Sequence, residues 1–200
     1  DIERDEVIVP DSSHGTNPAT ASMAGYKTVT IKSTDDGLVD IEALREALGP
    51  RTAAVMLTNP STLGLFEQDV VELLEAVHAA GALAYMDGAN MNAVLGHFQP
   101  GAAGFDVMHF NLHKTFSTPH GGGGPGAGPI AVAEHLVPYL PQPLVVLEDD
   151  GTFRLERAGE RPESVGRMRA YQGSTGVLVR AWAYIRAHGG SGLREVSEDA

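Results

Sequence analysis

The chain has 200 residues, 42% of them hydrophobic and 20% charged, which suits one domain, or one domain with part of a second, and speaks against global disorder. It carries 14 Lys and Arg against 26 Asp and Glu, and a net charge of −12 opposes non-specific attraction to nucleic acid or to an anionic membrane. With no cysteine, disulfides, thiolate catalysis and cysteine-ligated zinc are excluded.

The start, DIERDEVIVP, lacks the basic-then-apolar order of a secretion signal, and the apolar runs are too short for a bilayer. A soluble protein of the cytosol or an organelle matrix is expected. Short apolar runs bounded by turn residues predict strands over 7–10, 28–32, 53–57, 83–86, 107–110 and 129–133. Helical spacing predicts helices over 41–48, 69–80 and 176–187. Asp40 reads as the N-cap of the first, with Gly49 and Pro50 as its stop. In the second, Val70, Leu73, Leu74 and Val77 form an apolar stripe, Glu72 and Glu75 lie off it, and Gly81 ends the helix. Strand, helix and strand at such short spacing describe βαβ units, hence an α/β domain on a largely parallel sheet.

Ligands of such sheets bind beyond the carboxyl ends of the strands. The unusual polar motifs all follow expected strands: residues 11–17 after the first, Thr58, Asn59 and Pro60 after the third, 87–90 after the fourth and 111–114 after the fifth. These four loops should converge on one face. Residues 121–128 hold six of the 24 glycines and cannot be regular structure. They read as a linker or as a functional loop. The loop is favoured, because the segment joins two strands of one sheet and its bare N–H groups can approach an anion or a neighbouring subunit. Pro138, Pro141 and Pro143 mark a stiff exit, and residues 144–163 read as a polar hairpin or loop, or as the start of a second subdomain.

Between Arg51 and Arg154, Lys114 is the only Lys or Arg among ten carboxylates. It is either a surface lysine paired with a carboxylate or, approached through apolar neighbours, a partly desolvated amine with a lowered pKa and nucleophilic use. Asp87 is either a cap of the next helix or, 27 residues before such a lysine, the carboxylate that keeps a pyridoxal phosphate ring nitrogen protonated. His14 is a loop hydrogen-bonder or a flat ring able to stack on a heteroaromatic cofactor, and Asn59 a turn opener or a donor to a phenolic oxygen. For His109, His113 and His120 a metal site is disfavoured, since no local carboxylate completes one. The glycine-rich loop fits neither the Walker pattern nor the dinucleotide fingerprint.

Five motifs, DSSHGTNPATASMAG, MLTNPSTLGLFE, YMDGAN, FDVMHFNLHKTFSTPHGGGGPGAGP and SVGRMRAYQGSTGVLVRAWAYIR, cover much of the chain. Together they resemble the glycine decarboxylase P-protein family of the glycine cleavage system, and most of all the second subunit of its two-subunit bacterial form. The resemblance implies a fold-type-I, aspartate-aminotransferase-like large domain that binds pyridoxal phosphate. It implies that Lys114 bears the cofactor as a Schiff base, Asp87 binds the pyridine nitrogen, His14 stacks on the ring, Ala89 packs on the other ring face and Asn59 lies near the phenolic oxygen. Thr115 and Ser117, with residues 120–124, fall where cofactor phosphate or an entry channel would lie. Ser61 replaces the second asparagine of the family's Asn-Pro-Asn-Thr pattern and leaves Asn59 intact.

The implied activity is decarboxylation of glycine with transfer of the aminomethyl group to the lipoyl arm of H-protein, with His113 or Lys114 returning a proton. The implied partners are lipoylated H-protein and the other P-protein subunit in a hetero-oligomer, in the bacterial cytoplasm or, in a eukaryote, the mitochondrial matrix. Residues 1–143 are expected to be a partial cofactor domain and 144–200 a connecting segment and long helix towards a small C-terminal domain, the whole being cut at both ends. Two rivals stay open: another fold-type-I enzyme, aminotransferase or amino-acid decarboxylase, and a non-catalytic piece that mediates subunit assembly.

Overall fold

The computed structural model describes residues 3–120, 126–168 and 173–200. The chain divides into two compact units, residues 1–131 with 174–200, and residues 132–173. These boundaries do not coincide with the 143/144 division that the proline cluster suggests.

The strands β1 (Glu6–Pro10), β2 (Lys27–Ile31), β3 (Thr52–Thr58), β4 (Leu83–Asp87), β5 (Val107–His109) and β6 (Ile130–Val132) form one sheet among the described residues, in the order β2-β1-β3-β4-β5-β6. The pairs β1 with β2, β1 with β3, β3 with β4 and β4 with β5 are all parallel. The chain runs from β1 to β2 on one side and then to β3 on the other. The order therefore reverses between β1 and β3, which opens a crevice at their carboxyl ends.

Period-two alternation builds the core on both faces. Ile8, Val55, Leu57, Ala84 and Met86 pack with Leu44, Val70, Leu73, Leu74 and Val77 of α2 (Ile41–Ala47) and α3 (Val70–Ala79). The intervening Val7, Val9 and Met56 pack with Ala21 of α1 (Thr16–Met23), with Ala54 and Tyr85 beside them. As expected, Asp40 caps α2, its Oδ1 accepting from the N–H groups of Glu42 and Ala43 at 3.0 Å. Gly81, at φ 72°, turns the chain out of α3 in a conformation that costs glycine no Cβ clash.

After α4 (Pro100–Ala103), β5 ends one residue short of the predicted Phe110, and where a loop after that strand is expected the chain makes one short helical turn, α5 (Leu112–Thr115). The terminal helix α6 (Thr175–Asp199) packs Val177 and Ala181 on Leu95, Leu112 and Phe116. It extends beyond the expected end and breaks at Gly189 (φ 62°), where the run His188-Gly-Gly-Ser-Gly weakens helical order. The second unit holds a 3-10 helix (Glu134–Tyr139) and an antiparallel hairpin of β7 (Val145–Leu147) with β8 (Phe153–Leu155), the hairpin expected there. Among the described residues no helix is long and apolar enough to cross a membrane.

Leu44, 1% exposed, and Asp40 hold the same helix by different means. Leu44→Ala should cost about 2–5 kcal/mol of folding free energy, and Asp40→Ala about 1 kcal/mol, read as shifts of the urea midpoint.

Candidate active site

A cleft of about 620 Å³ opens at the carboxyl ends of β1, β3, β4 and β5, the place marked by the strand-order reversal. His14, Thr58, Asp87, Ala89, His109 and Lys114 all line it. The four loops picked out in the sequence do converge.

Asp87 ends β4 and is 2% exposed. A carboxylate so far out of water needs hydrogen-bond donors around it. Its Oδ1 accepts from the Ala89 N–H at 3.1 Å and lies 3.4 Å from His109 Nδ1, while Oδ2 accepts from the Thr58 hydroxyl at 3.3 Å. That hydroxyl also accepts from the His14 N–H and from Asn17 Nδ2, both at 3.0 Å. Its one proton and two lone pairs are then all engaged. The first loop is thus tied to the carboxylate through a single oxygen. His14 Nδ1 accepts from the Thr16 N–H at 3.1 Å, which orients the ring and leaves Nε2 to carry the proton.

Asn59 is 1% exposed and does not itself line the cleft. Its backbone N–H donates to the Asp87 carbonyl at 3.3 Å, and its Oδ1 accepts from the Glu67 N–H at 3.1 Å. Its Nδ2 is buried with no hydrogen-bond partner among the described residues. Glu67 is buried as well, with Oε2 accepting from the Val39 N–H at 2.8 Å. Burial pushes its carboxyl above the ordinary range, partly opposed by the Val39 N–H.

Lys114 sits on α5, lines the cleft and is exposed, so of the two alternatives, surface lysine and partly desolvated amine, the fold gives it the exposure of the first. Local sequence shows neighbours along the chain, whereas exposure is set by how a whole turn meets the cleft. Thr115 stands outside the lining set. It is buried, and its hydroxyl accepts from the Met91 N–H at 2.9 Å, clamping the loop after Asp87 to the helix that carries Lys114. His113 also does not line the cleft. Its Nδ1 accepts from the Ala127 N–H at 3.3 Å, and its ring meets that of His120 edge to face at 4.6 Å. Burial first, then the charges of His120 and Lys114, lower its pKa. No group of three or more His, Asp or Glu able to hold a metal occurs among the described residues. Residues 121–125 of the glycine-rich loop and 169–172 of the last motif lie outside those residues.

Three contributors were not singled out from sequence: Thr58 as the hub, Asn17, and His109 beside Asp87. The available signal was register, because Asp87 and His109 are direct partners across β4 and β5. Gly88 permits that approach. A Cβ there would stand 2.5 Å from Met108 Cε and 3.1 Å from the His109 carbonyl oxygen.

Residues 2–124, more than half of the chain, match the family model of class-V aminotransferases. The chain belongs to the class-V aminotransferase family. This is a pyridoxal-phosphate-dependent family, and the sheet described above is the α/β large domain of its fold type I. The chain is 58% identical over all its 200 residues to a protein of Nitrosomonas europaea named probable glycine dehydrogenase (decarboxylating) subunit 2. Identity to a Chlorobium chlorochromatii protein of the same name is 59% over 198 residues, 99% of the chain. It spans 41% and 40% of the length of these two relatives. Among solved structures, a sphingosine-1-phosphate lyase of Burkholderia pseudomallei matches with a TM-score of 0.71 at 17% identity, over 98% of this chain and 44% of that one. An Escherichia coli cysteine desulfurase matches with a TM-score of 0.65 at 22% identity, over 96% and 48%. At these identities the likeness in structure speaks for the fold alone.

Thr58→Val keeps the shape of the hub and removes its hydrogen bonds. It should cost about 1–3 kcal/mol, because Asn17 Nδ2 and Asp87 Oδ2 lose a partner, measured by urea unfolding. For Glu67 the folded pKa lies above the unfolded one, so its favourable contribution is present below the ordinary carboxylate range and is lost as pH rises through the folded value. Glu67→Gln should therefore flatten the fall in stability as pH rises above the ordinary carboxylate range. An unchanged slope in the paired denaturation curves would contradict that origin.

Proposed function

We propose that this chain carries the cofactor-anchoring half of a glycine decarboxylase active site. The observation that carries this reading is the buried carboxylate of Asp87 and the exposed amine of Lys114 lining one cleft, with the His14 ring at its edge. It is supported by the relatives' printed name and by the family's cofactor. The residues present fit pyridoxal phosphate. Asp87 offers a buried anion for a pyridinium nitrogen, and the Nδ2 of Asn59 is a buried donor with no protein partner. Ala89 lines the cleft as a small side chain on which a flat ring can lie.

Lys114 would hold the cofactor as a Schiff base, and its exposure suits an amine that must exchange with an incoming amino group. Asp87 would bind the ring nitrogen and His14 would lie against the ring. Pyridoxal phosphate, when bound, supplies the sink for the electron pair left as glycine's carboxylate departs as carbon dioxide. Asp87, with donors at both oxygens, presents acceptor oxygens on which a protonated nitrogen opposite it would bond. Of the two groups considered for returning a proton, Lys114 lines the cleft, whereas His113 is turned to Ala127.

In the transfer to H-protein, the electron pair left by carbon dioxide would form the bond from the aminomethyl carbon to one sulfur of the lipoyl disulfide, the sulfur–sulfur bond would break, and the returned proton would go to the second sulfur. The second P-protein subunit would complete the assembly. Thr115 acts in this reading by fixing the Lys114 turn rather than by touching the cofactor.

In the intact protein, Lys114→Ala should abolish both the visible absorbance of bound cofactor and carbon dioxide exchange from glycine. Asp87→Asn should keep the band and slow exchange roughly 10- to 200-fold, since a charge-assisted hydrogen bond is worth about 1.5–3 kcal/mol. Exchange that ignores H-protein, with formation of a keto acid, would instead indicate an aminotransferase. Absence of any band in the unmodified protein would point to an assembly role.

A further inference from the structure

Tyr85, Asp87 and His109 share one face of the sheet. Tyr85 precedes Asp87 by two residues on β4, and His109 is the direct partner of Asp87 across β5. The His109 ring is only 19% exposed. Its Nδ1 lies 3.0 Å from the Tyr85 hydroxyl oxygen and 3.4 Å from Asp87 Oδ1, and its Nε2 lies 3.3 Å from Asn111 Nδ2. Every ring nitrogen is thus engaged.

Which nitrogen carries the proton follows from the partners. Asn111 Nδ2 can only donate, so Nε2 must accept, and a neutral ring then has its proton on Nδ1. An Nδ1–H points its hydrogen at an anion and a hydroxyl oxygen. The opposite tautomer would turn a bare lone pair toward the Asp87 carboxylate, which is repulsive where water is excluded. Tyr85 stays a neutral phenol: burial, then the charge on Asp87, pushes its pKa up to about 12. The charged or titratable groups lining this cleft are His14, Asp87, His109 and Lys114.

We propose that His109 is a positioning residue for Asp87, locked by Asn111 as the Nδ1–H tautomer so that its N–H, set between the Tyr85 oxygen and the carboxylate, faces Asp87 and leaves it an acceptor toward the cleft. This inference rests on the cofactor reading of Asp87. The geometry has a chemical consequence. Ala89 N–H and the Thr58 hydroxyl donate to Asp87, and the His109 Nδ1–H faces its Oδ1 at 3.4 Å, so the carboxylate is surrounded by donors and receives no proton from the protein. A proton it shares toward the cleft is then one brought by a bound ring nitrogen.

The deciding measurement is nitrogen-15 NMR of histidine side chains in the intact protein without cofactor. The expected result is an Nδ1–H, Nε2-unprotonated pattern for His109, lost or averaged in Asn111→Ala and kept in Tyr85→Phe, which preserves ring shape and removes only the hydroxyl. An Nε2–H pattern in the unmodified protein overturns the proposal, as does loss of the Nδ1–H pattern in Tyr85→Phe. With cofactor added, His109→Gln should keep the visible band, shift its pH profile and lower glycine turnover about tenfold, equivalent to about 1.4 kcal/mol. An unshifted profile at normal turnover also refutes it. Because the tautomer is read before any cofactor is added, failure of the parent reading shows separately, as the absence of a band in the unmodified protein.

Discussion

The Thr58 hydroxyl is the contact on which the site depends. It sits at the end of β3, between the strand that leads to His14 and the strand that ends in Asp87, and it joins the loops of both. A hydroxyl can do this because it is donor and acceptor in one atom. It takes two N–H groups from the first loop and gives its own proton to the carboxylate. Neither valine nor serine would serve equally, since one lacks the oxygen and the other lacks the β-branching that keeps χ1 narrow. The ring of His14 and the anion of Asp87 are therefore placed relative to one another by the sheet and one oxygen, with little left to loop entropy.

Rigid placement of this kind extends to the lysine side. Met91 N–H donates to Thr115, and Asn111 N–H donates to the Ala89 carbonyl at 3.3 Å, so the loop after β4 is stitched to the turn carrying Lys114. Lys114 itself is left exposed within that frame. Such a division suits a group that must form and release a covalent link while its surroundings stay put.

Much of this was legible in the sequence, for identifiable reasons. The six sheet strands and the helices α2 and α3 are strongly patterned, and Asp40 and Gly81 mark their ends by capping chemistry that acts locally. Helix α1 was missed because Thr16-Asn17-Pro18 reads as a turn, although proline is tolerated in a first helical turn. The turn α5 was missed because four residues are too few for any periodicity. At the site, Lys114, Asp87 and His14 announced themselves by residue type and by following strands, while Ala89 entered only through the family resemblance. Thr58, Asn17 and His109 did not, because their roles come from partners 29, 41 and 22 positions away and exist only once the register of the parallel strands is known. The choice between an exposed and a desolvated Lys114 stayed open for the same reason: neighbours in sequence are not neighbours across a cleft.

Parallel pairing of β4 with β5 makes Met86 face Met108 and Asp87 face His109. Met86 is fully buried in the core beneath the sheet, and Asp87 points to the cleft. The boundary between oil and chemistry is thus one residue wide. Gaining or losing a single residue in the connection before β4 can be absorbed by its turn, but the same change within the strand would exchange the two faces, driving a carboxylate into the core and a thioether into the site. The family's freedom to vary in length is therefore expected in the turns at the amino ends of these strands, while the strands themselves count residues without tolerance.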